Sequence, residues 1–295
     1  MLMSATRAAV ELLIHDGGAG AECRWQSLGR GVGGCTWRVA CDDSSWFVKT
    51  ADDALDMFNA EADGLKALAE CGAVQVPQVL ATGEHHGEAF LVMEGLRLGR
   101  KTGAAAARLG EALAHQHQCL GERFGWHRNN FIGATPQFNA PVDDWMKFFR
   151  DHRLGFQLRL AAENGYRGAL QDQGTELMER LPAFFAGYTP QPSLLHGDLW
   201  SGNWGVLDTG EPVIFDPAVY YGNREADLAM TELFGGFSPE FYSAYDAHWP
   251  LDSGYRTRRD LYNLYHVLNH LNLFGTSYLA QAQGLMEQLL AHVRN

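Results

Sequence analysis

Two aspartates and one asparagine in the second half of the chain have types and spacing suited to phosphoryl transfer. In LLHGDLWSGNWG, Asp198 and Asn203 form the pattern Asp-x-x-x-x-Asn, and Asp216 ends the apolar run PVIF that follows. Such chemistry needs a carboxylate oriented on the attacking hydroxyl and oxygen ligands for Mg²⁺. The pattern therefore predicts Asp198 as the catalytic base and Asn203 and Asp216 as Mg²⁺ ligands. Taken singly, each residue also suits a simple turn.

A Gly-rich segment, a lysine and a glutamate upstream would complete a phosphate-binding site. Gly31, Gly33 and Gly34 crowd the turn in LGRGVGGCTW, where backbone amides can approach phosphates closely. Lys49 ends the strand-like run SWFVKT and is predicted to hold the α- and β-phosphates, although a lysine at a strand end is usually just solvated. Glu61 lies on the apolar side of the next helical segment, where a lone carboxylate is costly. A Lys49–Glu61 ion pair explains both residues.

The run FLVMEGL is predicted to be the hinge that contacts adenine. Met93 would lie beside the base, and backbone groups of Glu94 and Leu96 would meet its edge. His196, at the entrance of the Asp198 loop, is expected to fix backbone geometry by hydrogen bonds and not to transfer protons.

The elements that position these residues are readable from periodicity. Residues 23–50 alternate and turn like a three-stranded meander, residues 53–72 carry helical spacing that Gly72 can end, and two strands follow. Beyond Gly99, long helical patterns dominate, interrupted by a strand-loop-strand unit with a hairpin turn at Asp208-Thr209-Gly210. The fold class is therefore predicted to be α+β with two lobes: an N-terminal antiparallel sheet with one helix in residues 1–95, and a mainly helical lobe in residues 96–295.

Composition excludes several other classes of protein. The formal net charge of −12 disfavours nucleic acid as a partner, and no apolar run is long enough to span a membrane. The N-terminal segment MLMSATRAAVELLIHDGG is predicted to be an amphipathic helix and not a signal peptide, which favours a cytoplasmic location. The 5 cysteines include no Cys-x-x-Cys pair, so reduced thiols are expected.

Longer stretches resemble the fructosamine kinases, also called ketosamine-3-kinases, a branch of the kinase-like phosphotransferase fold. The resemblance lies in HGDLWSGNWG, FDPAVYYGNREADLAM, RFGWHRNNFIGATPQFN and LYNLYHVLNHLNLFGTSY, and it extends from residue 8 to the end. It implies transfer of phosphate from ATP, with Mg²⁺, to the 3-hydroxyl of a ketoamine sugar on a small amine or a protein lysine. The phosphorylated product is unstable and sheds the sugar, which links such enzymes to deglycation. Asp216-Pro217-Ala218 replaces the Asp-Phe-Gly of protein kinases, so a phosphorylated activation loop is not expected.

Three further residues are candidates for substrate binding or redox control. Trp200 would stack on the sugar or pack under its loop, and of His270 and Asn272, two positions apart, His270 is the preferred substrate contact. Cys35 lies in the Gly-rich turn, where backbone amides and Lys49 would favour its thiolate. Because the resembling family is associated with redox control, a reversible Cys35–Cys35 homodimer is a hypothesis; simple tolerance of a small residue is the alternative.

Two other functions stay open at this point. A kinase for an aminoglycoside or a choline-like substrate would use the same motifs, and a cationic substrate would suit the charge. A catalytically silent nucleotide-binding module is the third reading, but silent relatives have usually lost the Asp, the Asn or the Lys, and all three are present.

Overall fold

The computed structural model describes residues 4–15, 22–41 and 44–294. The predicted N-terminal helix is present as α1 (Ser4–Ile14). Residues 1–3 and 16–18 of the predicted segment lie outside the described residues. No helix in the described part of the chain is both long and apolar enough to cross a bilayer.

The N-terminal lobe is a five-stranded antiparallel sheet between two helices. Its strands are β1 (Arg24–Gly31), β2 (Gly34–Cys41), β3 (Ser44–Asp52), β4 (Val79–His85) and β5 (Glu88–Glu94), in the spatial order β1-β2-β3-β5-β4. Helix α2 (Leu55–Cys71) packs on one face, and Gly72 ends it with a φ of 70°. Helix α1 packs on the other face through Val10. The predicted meander, helix and following strand pair are confirmed.

Side-chain alternation divides the sheet into two apolar layers. Val39, Val48 and Val92 face α1, whereas Leu91 and Met93 face α2. Because Thr36 pairs with Lys49, these two side chains share the face that carries α2. This alternation decides which residues of the sheet can reach the cleft.

The C-terminal lobe is mainly helical. Its helices are α3 (Gly103–His117), α4 (Trp145–Phe148), α5 (Gly155–Glu163), α6 (Ala169–Glu179), α7 (Leu181–Phe184), α8 (Glu225–Leu233), α9 (Pro239–His248), α10 (Tyr255–Phe274) and α11 (Leu279–Arg294). A π-helical segment, Phe149–Leu154, joins α4 to α5, and a 3₁₀ turn, Thr276–Tyr278, precedes α11. The largest apolar core lies among α4, α5, α6, α10 and α11.

Short strand pairs carry the loops on the C-terminal side of the cleft. They are β6 (Asn130–Ile132), β7 (Thr135–Gln137), β8 (Ser193–Leu195), β9 (Trp204–Val206), β10 (Pro212–Ile214) and β11 (Tyr220–Gly222). The predicted hairpin is confirmed, since β9 pairs antiparallel with β10 across the 207–211 turn. Strand β8 pairs antiparallel with β11, so the Asp198 loop, which follows β8, and the Asp216 loop, which leads into β11, lie side by side.

The expectation that the cysteines are reduced is wrong for four of them. Cys23 is bonded to Cys41 and Cys71 to Cys119, at sequence separations of 18 and 48, and Cys35 is free. Pairing of Arg24 with Ala40 places the first two cysteines on adjacent strand ends. The absence of a Cys-x-x-Cys pair says nothing about cysteines that only the folded backbone brings together.

Candidate active site

A cavity of about 740 Å³ between the lobes collects most of the predicted site residues. Its N-terminal wall contains Lys49 and Glu61 beneath the Gly-rich turn, and its floor contains Asp198, Asn203 and Asp216. Residues from three separate parts of the chain therefore converge on one cleft.

Lys49 forms the link between the two lobes. Its Nζ lies 2.7 and 2.9 Å from the two carboxylate oxygens of Glu61 and 2.8 Å from Oδ1 of Asp216. The expected Lys49–Glu61 ion pair is thus present. Burial by itself lowers the Lys49 pKa, but the two carboxylates outweigh burial and raise it, so the ammonium stays charged.

Asp216 is held in a strained backbone conformation. Its φ is 58°, in the left-handed region that residues other than glycine rarely adopt. The flanking residues are pinned, because Phe215 N–H donates to Asn203 O and Ala218 N–H donates to His196 O. The side chain is 46% exposed and remains accessible from the cleft. Strain of this kind persists where the surrounding structure over-determines a functional conformation.

Asp198 lies between two other acidic groups. Burial, together with the negative charges of Asp216 and Asp227, raises the pKa of the Asp198 carboxyl to about 7, although a hydrogen bond from Asn203 opposes the rise. The Asn203 Nδ2 donates to the Asp198 backbone oxygen at 2.9 Å and lies 3.4 Å from the Asp216 backbone oxygen. Because the amide nitrogen serves both loops, the amide oxygen is left as an acceptor for a cation.

The loop that carries Asp198 is fixed by His196 and by Asp227, a residue that sequence reasoning missed. The Asp227 carboxylate accepts from the backbone N–H of His196 at 2.7 Å and of Gly197 at 2.8 Å, and it contacts His117 Nε2 at 3.2 Å. His196 Nε2 donates to Phe215 O at 3.0 Å. A signal was available, because the two carboxylates in the stretch EADLAM stand among apolar residues on a helix and must find partners if they are buried.

Glycine is required at two positions for steric reasons. A Cβ on Gly197, whose φ is 84°, would lie 2.1 Å from Ala218 O. A Cβ on Gly34, whose φ is 114°, would lie 2.3 Å from Thr50 O. A Cβ on Gly31 would meet open space, one on Gly33 would make only an ordinary 3.8 Å contact with Met57 Cε, and both residues line the cavity. Close backbone approach therefore explains Gly34, while Gly31 and Gly33 leave room for a ligand.

The predicted adenine contacts lie outside this cavity. Met93 is 2% exposed, and its side chain packs in the apolar layer against α2. Glu94 N–H already donates to Gln78 O. Neither these two residues nor Leu96 lines the cavity.

The far end of the cavity is aromatic. Trp200 is 39% exposed, so it is not buried beneath its loop, and its ring covers Gly202. His270 also lines the cavity, and its ring lies 4.7 Å from Phe234 and 5.1 Å from Tyr278. Sequence reasoning missed these two aromatic neighbours, which lie just after α8 and in the 3₁₀ turn before α11.

Asn272 and Cys35 both point away from the catalytic residues. Asn272 Nδ2 donates to Gln157 O at 3.0 Å. Thr50 follows Lys49 directly on β3, so its side chain lies on the opposite face of the sheet, where Trp37 Nε1 donates to Thr50 Oγ1. Cys35 lies two residues before Trp37 on β2 and therefore shares that face. The Cys35 thiol and the Lys49 ammonium therefore lie on opposite faces of the sheet, which contradicts the expectation that they are neighbours.

Comparison with known proteins gives a consistent result. The fructosamine kinase family model matches residues 14–292. A probable ketoamine kinase of Synechocystis is 46% identical over 263 residues, covering 88% of each chain. A chloroplastic protein-ribulosamine 3-kinase of Oryza sativa subsp. japonica is 42% identical over 265 residues, covering 88% of this chain and 77% of the relative.

Solved structures agree with this fold. The crystal structure of a putative fructosamine-3-kinase from Haemophilus somnus 129PT has a TM-score of 0.86 at 30% identity, covering 95% of this chain and 96% of the other. A thermostable mutant of an aminoglycoside phosphotransferase has a TM-score of 0.64 at 16% identity, covering 96% of this chain and 98% of the other, which shows a shared fold only.

Proposed function

The chain belongs to the fructosamine kinase family, and we propose that it phosphorylates the 3-hydroxyl of ketoamine sugars with Mg-ATP as a step in deglycation. Residues 1–95 would form the nucleotide-binding lobe and residues 96–295 the catalytic and substrate lobe. The observation that carries the proposal is the convergence of Lys49, Asp198 and Asp216 on one cleft. The kinase fold implies ATP as the phosphate donor.

The oxygen groups at the cleft suit Mg²⁺. The accessible Asp216 carboxylate and the free amide oxygen of Asn203 are hard ligands of the type that Mg²⁺ prefers, and one or two protein ligands are enough for it. Bound Mg²⁺ would neutralise phosphate charge. Lys49, held by Glu61, would contact the α- and β-phosphates beneath Gly31 and Gly33.

The remaining chemistry falls to Asp198. With a pKa near neutrality, its carboxylate is a base matched to its task, and it would orient the sugar hydroxyl and accept its proton. Asp227 and His196 act through the backbone, keeping the loop in place. Trp200 and His270 would contact the sugar at the aromatic end of the cavity.

Relatives favour ketoamines over the alternative substrates. Ketoamine and ribulosamine kinases match at 46% and 42% identity, whereas the aminoglycoside phosphotransferase matches at 16%. A free ketoamine and a glycated protein lysine present the same sugar to the cleft, and both are proposed substrates. A silent module is disfavoured, because Lys49, Asp198 and Asp216 are all retained.

Product stability tests the proposal. The purified chain is incubated with Mg-ATP and a panel of fructosyl- and ribulosyl-amines, choline and an aminoglycoside, and followed by phosphorus NMR. We expect a ketoamine 3-phosphate that decomposes and frees the amine. A long-lived phosphate ester on the aminoglycoside, with no turnover of ketoamines, would instead establish the alternative kinase.

Reversible oxidation at Cys35 is a separate proposal. Cys35 is the free cysteine and is half-buried next to Gly33 and Gly34, whose turn would contact bound ATP. Activity is measured after peroxide and then dithiothreitol, with and without ATP, and chain size is measured in parallel. We expect inhibition and a Cys35–Cys35 dimer in the parent chain. Equal inhibition of the Cys35→Ala variant would exclude this role.

A further inference from the structure

A cluster of two histidines and one glutamate lies outside the catalytic cleft, on the surface where α3 meets α9. Glu111 and His115 are four residues apart on α3, and His248 ends α9. Their ligand atoms, one from each residue, all lie within 4.8 Å of one another. None of the three has a role in the proposed phosphoryl transfer.

The helix crossing fixes the positions of these side chains. A Cβ on Gly110 would lie 2.2 Å from Phe241 O, so the two helix backbones touch at this point. Glu111 follows Gly110 directly, and His115 is one turn further along the same face. His248 lies two turns beyond Phe241 on α9. The three ligands are therefore carried by two rigid helices in close contact, not by loops.

The hydrogen bonding of His248 leaves an electrostatic problem that a cation would solve. Its Nδ1 lies 2.8 Å from the carbonyl oxygen of Ala244, which can only accept, so Nδ1 carries a proton. In a neutral imidazole, Nε2 is then a lone pair, and it lies 3.3 Å from Glu111 Oε1. Two acceptors at this distance repel each other. A proton or a metal ion between them removes the repulsion, and a backbone carbonyl on the second nitrogen is the usual support of a metal-binding histidine.

The neighbouring cation does not fill this role. Arg108, one turn before Glu111, donates to Gly210 O and faces the Glu211 carboxylate at 3.7 Å. Its guanidinium is thus directed across the adjoining groove. The cluster keeps the negative charge of Glu111 for a ligand.

We propose that Glu111, His115 and His248 bind Zn²⁺ or a related divalent transition metal. Two imidazoles and one carboxylate are a ligand set that suits zinc, with a water in the fourth tetrahedral position. Imidazole nitrogen disfavours Mg²⁺ and Ca²⁺, which take oxygen ligands. The bound ion would join α3 to α9 at their crossing and leave the catalytic cleft unchanged.

Zinc binding to the full-length chain tests the proposal. Titration is followed by calorimetry without reductant, in a Cys35→Ser background that removes the free thiol, and with excess Mg²⁺ to occupy the catalytic oxygen ligands. Co²⁺ serves as a second probe, since its visible absorption reports tetrahedral geometry. We expect one ion per chain and a Zn²⁺ affinity at least about tenfold lower in His115→Gln and in His248→Gln. Loss of a group that only supports a metal ligand already lowers metal affinity about 10- to 100-fold, and loss of the ligand itself should lower it at least as much.

His86→Asn is the matched control, since His86 is an exposed histidine on the β4–β5 turn and its φ of 52° suits asparagine. Its Zn²⁺ affinity should equal that of the parent. Melting temperatures measured without metal show whether each variant is folded. If a histidine variant does not fold, Glu111→Gln provides a third test of the site. Phosphoryl transfer should be unchanged in all of them. Parent-like Zn²⁺ affinity in the His115→Gln/His248→Gln double variant, or an equal loss in His86→Asn, would overturn the proposal.

Discussion

Replacing Asp198 by asparagine should abolish catalysis and stabilise the fold at the same time. The substitution removes the proposed base, so kcat should fall about 100- to 10,000-fold. Mg-ATP affinity should stay close to that of the parent, because Asp198 is proposed to contact the sugar hydroxyl and not the nucleotide. The stability effect has a different origin, in the charge that the native state must bury.

The size of that effect follows from the pKa of the carboxyl. A rise from the ordinary value of 3.8 to about 7 corresponds to about 4 kcal/mol, at about 1.4 kcal/mol for each tenfold change in proton affinity. A raised pKa means that ionised Asp198 destabilises the native state above pH 7, and that the penalty vanishes below the ordinary pKa. Because the side chain is partly exposed, we expect Asp198→Asn to raise the free energy of unfolding by about 2–4 kcal/mol at pH 8 and by almost nothing at pH 4.

Denaturant unfolding at both pH values, without nucleotide or Mg²⁺, measures this difference, and calorimetry measures ATP affinity. Asp208→Asn, on the exposed hairpin turn nearby, is the control and should change neither activity nor stability. A variant that loses activity and also loses stability equally at both pH values would refute the reasoning, since Asp198 would then be a structural residue.

Three other substitutions test separate parts of the structure. Asp216→Asn removes a Lys49 partner and a proposed Mg²⁺ ligand, so calorimetry should show Mg-ATP affinity at least about tenfold lower; parent-like affinity would contradict that role. Cys71→Ser should lower the free energy of unfolding by about 2–4 kcal/mol, since the Cys71–Cys119 bond closes a separation of 48 residues. Thiol titration of the denatured, unreduced parent should find 1 free thiol, and finding 5 would mean that neither disulfide forms. Burial lowers the His266 pKa to about 3, so between pH 6.5 and pH 3 only the unfolded chain takes up a proton at this residue. The free energy of unfolding of the parent should therefore fall by about 1.4 kcal/mol by pH 5.5. Denaturation of His266→Gln should lack this part of the fall, and a pH dependence equal to that of the parent would count against the prediction.

Local sequence patterns were sufficient for the elements, and most of the site residues that they predict line the cleft. The three-stranded meander, the helix ended by Gly72 and the hairpin at residues 207–211 follow from short-range periodicity and turn chemistry, and each is confirmed. The Lys49–Glu61 pair was also readable, because a carboxylate on an apolar helix face requires a partner. Family membership followed from extended motifs of the same local kind.

Long-range contacts had to come from the tertiary structure. Cys71 and Cys119 are 48 residues apart, and nothing in their neighbours predicts that the end of α2 meets the end of α3. The same applies to Asp227, which supports the Asp198 loop from another helix, and to Cys35, which the β2–β3 register turns away from Lys49. Periodicity reports which face of an element is buried, because that depends on neighbours along the chain. Which elements meet across that face depends on packing of the whole fold, and only the folded backbone decides it.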